Sequence, residues 1–245
     1  MSDWARENVV FLSACLEQVR LALATEPAGA DESKEVVPPL AWPSWPADLE
    51  RLPSFQVLCE RADLDPFAAS VLLLCAGMEL DTRFPALCAE INQNEACPWP
   101  SFSLAMRALP GAYWQAIAPS APLRRFQLIR LESGQLVTQA RIWCDERVWQ
   151  FLLNIEGLDS RLAHQVNEPE LPDGLAPSQE ALAQRLHDTL LSCAETEFPV
   201  VQLLGRSVVD SLAVAHRACH PLGLRLFKLK EDLLPPPGEE LEEML

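Results

Sequence analysis

The residues whose spacing suits chemistry lie toward the end of the 245-residue chain. VVQLLGRSVVDSLAVAHRACHPLGLRLFKL, Val200 to Leu229, reads as a buried strand, a glycine turn, a helix and a second buried strand, the layout of a nucleotide-binding βαβ unit. Such a unit cradles phosphate in a loop written G-x-x-x-x-G-K-[ST], where bare backbone N–H groups and the lysine offset the charge. Counted from Gly205, the last three positions are Asp210, Ser211 and Leu212: an acid replaces the second glycine, and the lysine is missing. Arg206 and the dipole of the helix N-terminus still favour an anion. Asp210 opposes one by ~1 kcal/mol or more, depending on screening. The balance favours a structural turn at Gly205, Arg206, Ser207, Asp210 and Ser211 over residual nucleotide binding. Phosphoryl transfer also needs a metal site and a water-positioning group, so no catalytic residue is assigned.

A second constellation follows in the same helix. His216, Cys219 and His220 stand at i, i+3 and i+4, a spacing zinc can use. A fourth ligand is not evident, and the helix must also pack Leu212, Ala215 and Cys219, so an ordinary half-buried face is preferred and no metal is assigned. His164 and His187 stand alone, without the partners of an activated nucleophile. The pairs Glu239-Glu240 and Glu242-Glu243 are sequence neighbours in an acidic tail, not carboxylates opposed across a cleft.

The third candidate is a set of arginines in the middle of the chain. A helix over 102–109 would turn Ser103 and Arg107 outward, and Arg124, Arg125, Arg130 and Arg141 dot a strand hairpin beyond it. Helices and hairpins of this kind can bind DNA. Glu132, Asp145 and Glu146 lie beside the arginines, however, and the chain carries a net charge of −16, which repels phosphate backbones at long range. A solvated, protein-facing surface is the stronger reading, and the arginines could equally pair with an acidic neighbour subunit.

The elements that hold these residues follow from periodicity. Val9, Leu12, Leu16, Val19 and Leu23 form a stripe on a helix over 3–24. Glu26 to Pro53 is a proline-rich linker whose Trp42 and Trp45 are expected to pack on the following domain. Asp65 and Pro66 start a helix that is apolar nearly all round, and Asp81, Ser101 and Asp145 cap three more. RRFQLIRLE and LVTQARIW read as two strands joined at Ser133-Gly134-Gln135. Several helices and then a hairpin is the order of a winged helix. NEPELPDGLAPS, residues 167–178, has three prolines and no periodicity and marks a domain boundary; a helix from Gln179 to about Ala194 follows it.

Composition bounds the rest. With 49% hydrophobic residues the chain can bury a core. The apolar run Ala68 to Met78 falls short of the ~20 residues a bilayer needs. The N-terminus MSDWARENVV has no basic region ahead of an apolar one, so a cytoplasmic chain is expected. Eight scattered cysteines without a C-x-x-C pair read as reduced, buried thiols.

LDPFAASVLLLCAGMELDTRFPALCAEIN, SFSLAMRALPGAYWQAIAPSAPLRRFQLIRLE and IWCDERVWQFLLNIEGLDSRLA together resemble the N-terminal winged-helix region of a bacterial and archaeal family of AAA+ ATPases that accompany phage-tail-like contractile injection systems. The resemblance spans about residues 48–164. It implies three parts: an N-terminal helix and proline-rich linker (1–47), a winged-helix domain (48–166), and the start of a degenerate AAA-like α/β module (178–245). The expected fold class is mostly α with an α+β winged-helix domain, followed by a partial P-loop-NTPase-like segment. In that family ATP and magnesium belong to a further C-terminal AAA module, which this chain would lack as an N-terminal fragment. No cofactor is expected here. The implied function is a non-catalytic docking region of a ring-forming ATPase that remodels a protein assembly. A winged-helix DNA-binding regulator is the alternative, and a self-sufficient enzyme ranks last.

Overall fold

A computed structural model describes residues 3–25, 38–47, 49–155, 157–158, 162–171, 174–193, 199–230, 236 and 238. The acidic tail pairs and the linker residues 26–37 lie outside them. The chain divides into two compact units, residues 1–157 and 158–245.

Unit 1 is built around a helix whose sequence leaves it no polar face. Asp65 accepts hydrogen bonds from Phe67 N (2.9 Å) and Ala68 N (3.0 Å), and Pro66 fills the first position, where a missing N–H costs nothing. The helix runs Pro66–Leu80 and buries every residue from Phe67 to Gly77. Numbered in chain order, it is α3. Before it come α1 (Asp3–Ala24) and α2 (Ser54–Arg61); after it come α4 (Phe84–Ile91), α5 (Phe102–Ala108), a 3-10 turn (Trp114–Ile117) and α6 (Pro122–Arg125). Strands β1 (Ile129–Leu131) and β2 (Ile142–Cys144) pair antiparallel with Ile129 opposite Cys144, and α7 (Glu146–Leu152) closes the unit.

Helix α1 packs against α3 and α4 within this unit. Its buried face is Trp4, Asn8, Phe11, Leu12, Cys15, Leu16, Val19 and Leu23, while Val9, expected inward, is 37% exposed. The difference arises because the inner face begins on Trp4 and Asn8, which a purely aliphatic stripe overlooks. Trp42 and Trp45 pack on this core as expected: Trp45 meets Phe11 edge-on at 5.5 Å and Trp42 meets Phe55 at 5.3 Å. In α7 the inner face is Val148 and Leu152; Phe151, and Ile155 beyond the helix, are 42% and 50% exposed.

The hairpin is shorter than its alternating sequence suggests. Arg124 and Arg125 belong to α6, because Pro122 opens a helical turn and Gln127 leaves it at a φ of 51°. Between the strands, Gln139 N and Ala140 N both bond the Leu136 carbonyl (2.8 Å each), so the second arm begins as a turn.

Unit 2 holds β3 (Val166–Asn167), α8 (Pro177–Cys193), α9 (Val208–Cys219) and β4 (Lys228–Leu229). Helices α8 and α9 pack together and bury Ala183, Leu190, Ala213, Val214 and Ala218. The expected βαβ layout is not what forms among the described residues. Residues 199–205 take no regular structure, and β4 pairs antiparallel with β3, upstream of α8. Val200 is 102% exposed and Leu204 86%. A strand persists only where a neighbour satisfies its N–H and C=O groups, and no described segment pairs its backbone with this one.

Candidate functional site

The hairpin and α5 form the part of unit 1 where sequence placed the arginines. Ser101 accepts a hydrogen bond from Leu104 N (3.1 Å) and starts α5. The Ser103 N–H, which would otherwise point free from the first turn, donates instead to the Thr138 carbonyl at 2.7 Å. Ser101 also bridges Arg141, and Ile142 N bonds the Pro100 carbonyl (3.0 Å). The wing is thereby tied across the start of α5. A helix reads DNA through the residues of its N-terminal turns; here one backbone donor of that turn is held by the chain's own hairpin, while the Ser103 and Arg107 side chains are exposed. The helical element that feeds directly into the hairpin is α6, a single turn of four residues.

Most of the arginines are already engaged. Arg107, an exposed residue, donates a guanidinium N–H to the Ile91 carbonyl. Arg124 donates to the Ile117 carbonyl at 2.8 Å. Arg130 bonds Asp145 at 2.9 Å, with Arg147 on the other carboxylate oxygen at 3.1 Å. Asp145 is buried; burial pushes its carboxyl up, but the hydrogen bonds from Arg130 and Arg147 outweigh this and hold it below the usual range. Strand register puts Arg130 opposite Trp143, and the Glu132 N–H donates to the Arg141 carbonyl. Arg141 is exposed, and its guanidinium lies 5.8 Å from the Trp99 ring and 6.0 Å from the Trp143 ring. Arg125 is exposed beside Phe126, at 5.2 Å. The structure thus turns a sequence cluster into one buried ion-pair network, two carbonyl clamps and two arginines stacked near aromatic rings.

Sequence reasoning missed Asn8. Its side-chain amide donates to the Leu152 carbonyl (2.8 Å) and accepts from Ser54 N (2.8 Å), joining α1 to α2 and α7 in the buried interior. A polar residue inside an apolar stripe was the available signal. An open groove of about 350 Å³ between the ends of α1 and α5 also went unforeseen; Leu21, Ala22, Pro38, Leu40, Arg107 and Leu109 are among its walls.

In unit 2, Ser207 caps α9 by accepting from Asp210 N (3.2 Å), and Ser211 Oγ donates to the Ser207 carbonyl (3.2 Å). The first-turn donor that phosphate would use is therefore held by Ser207, while Arg206 and Asp210 are exposed. A Cβ at Gly205 would come no closer than 3.5 Å to another group, Ser211 Oγ, so this glycine is not demanded by crowding. His216 and His220 rings lie 5.4 Å apart. Among the described residues, no three His, Cys, Asp or Glu side chains gather as a metal site.

The eight cysteines are free thiols. Burial pushes Cys15, Cys59, Cys88 and Cys144 up to about 12 and Cys75 well above its ordinary value, so these remain protonated at neutral pH. Among the described residues no helix is long and apolar enough to cross a membrane.

A helical core, a wing hairpin and a strand bridge ahead of α5 are the parts of a winged helix, and residues 47–166 match the family described as "Winged helix domain, variant". The chain therefore contains a winged-helix domain, within a mostly helical fold. No curated protein and no solved structure matches the chain.

Proposed function

We propose that this chain is the non-catalytic docking region of an AAA+ ATPase that remodels a protein assembly, with the winged helix as its protein-facing part. The observation that carries this reading is the Thr138 carbonyl on the Ser103 N–H, which holds the wing against the turn of α5 that DNA recognition would use. The engagement of Arg107, Arg124 and Arg130 within unit 1 and the net charge of −16 support the same side. The AAA+ assignment rests on the resemblance over residues 48–164, with residues 178–245 as the opening of a degenerate AAA-like module. ATP, magnesium and ring formation would belong to a further module. The test is to sequence the coding DNA beyond Leu245 and assay both products with ATP and magnesium. A lysine-bearing phosphate loop downstream, with hydrolysis by the longer product and none by these 245 residues, is expected. Tight ATP capture by the 245-residue chain, lost on altering Gly205 to Ser211, would overturn it.

The second reading is a DNA-binding regulator. It is favoured by Arg125 and Arg141, which stay exposed on the hairpin side of unit 1.

A further inference from the structure

PVVQLLG, residues 199–205, carries no charge in a chain whose net charge is −16. Val200 and Leu204 are the most exposed large hydrophobic side chains among the described residues, at 102% and 86%; Val201 is 43% exposed and Leu203 half-buried. Exposure thus follows the period of two expected of a strand with one face outward. The backbone groups of residues 200–204 take no hydrogen-bond partner among the described residues. An uncharged, strand-forming stretch with an open backbone is a template for another strand.

Chemistry around Gln202 reads alike in both directions. Aligned antiparallel with its own copy, Gln202 falls on the two-fold axis, Val200 lies opposite Leu204 and Val201 opposite Leu203. Pro199 falls opposite Gly205 at the end of the strip, a tolerated position for a residue without an N–H. Charge selects the same direction: Glu195 and Glu197 precede the strip and Arg206 follows it. Antiparallel alignment brings the acidic end of one copy to the basic end of the other, whereas parallel alignment brings like charges together.

We infer that residues 200–204 pair antiparallel with the same residues of a second copy of this chain, centred on Gln202. The contact is isologous and closes at two copies. Five residues per copy bury less than the ~1,200 Å² of a stable interface, so the pairing is weak and depends on concentration. It goes beyond the docking reading, and its failure leaves the protein-facing winged helix of that reading untouched because no residue of unit 1 takes part.

Sedimentation equilibrium of the 245-residue protein tests it. The average mass is expected to rise with concentration from 27.2 kDa toward twice that value. Gln202→Pro, which removes a ladder donor, is expected to abolish the rise. Gln202→Cys places two thiols across the axis, so mild oxidation is expected to give far more covalent dimer than in the wild type or in Val201→Cys, whose counterpart is Leu203. Because the strip takes no hydrogen-bond partner among the described residues, these variants break no bond of the described fold. A mass fixed at one copy, a mass growing past two, a rise that survives Gln202→Pro, or no excess cross-linking of Gln202→Cys would each overturn the inference.

Discussion

At the scale of single residues, two buried polar groups carry unit 1, and each makes a measurable demand. Asn8 satisfies one backbone donor and one acceptor inside the core. Asn8→Ala leaves Ser54 N and the Leu152 carbonyl unpaired and is expected to cost about 2 to 4 kcal/mol in urea unfolding; a loss under about 0.5 kcal/mol would show that the two groups find other partners. Asp145 is the second. Asp145→Asn breaks a buried pair with Arg130 and Arg147 and is expected to cost about 3 to 5 kcal/mol. Its carboxyl lies below the ordinary value in the folded chain, so on acidification the unfolded state takes up the proton first. Its contribution is complete above about pH 4, the range of an unperturbed aspartate, and is lost as pH falls through the folded value. Unfolding midpoints followed downward from pH 5 should therefore fall more steeply in the wild type than in Asp145→Asn. Equal slopes would remove Asp145 from the acid response.

At the scale of elements, the contact between α3 and α4 depends on an absent side chain. A Cβ on Gly77 would lie 2.5 Å from the Phe84 ring, which is itself buried. Helix propensity alone favours alanine by about 1 kcal/mol, but forcing the ring aside costs about 1 to 3 kcal/mol. Gly77→Ala is expected to destabilise the protein, and Phe84→Leu in the same chain to recover part of the loss; a stabilised Gly77→Ala would show that the ring moves freely. Elements with strong local signals were legible in sequence. Asp65 with Pro66, Ser101 and Asp145 each start the helix they announce, because caps act through bonds within three residues. Where distant partners decide, the sequence was less telling. Val9, Phe151 and Ile155 face outward although their spacing allows an inner face, and α6 takes Arg124 and Arg125 out of the expected strand.

Across the whole molecule, the same contrast separates the two units. The winged helix in unit 1 was legible because its core helix, caps and hairpin are each encoded locally and agree with one another. In unit 2 the pattern of Val200 to Leu229 states a preference for buried strands, yet a strand forms only with a neighbour, and the described residues provide β4 with β3 alone. The arginines were found by sequence, but their engagement was not. That Arg130 would meet a buried Asp145, or that the Thr138 carbonyl would take the Ser103 N–H, depends on how the hairpin lies on the helix. Composition and local spacing do not report such contacts.

The central claim is that this winged helix faces protein, its wing being tied to the first turn of α5. It is tested most directly by titrating the 245-residue protein with duplex DNA at several salt concentrations. No saturable binding is expected at moderate ionic strength, and Arg125→Glu with Arg141→Glu should change nothing. Saturable binding that weakens steeply with salt and is lost in that double variant would contradict the claim, since such a slope reports phosphate contacts made by those arginines.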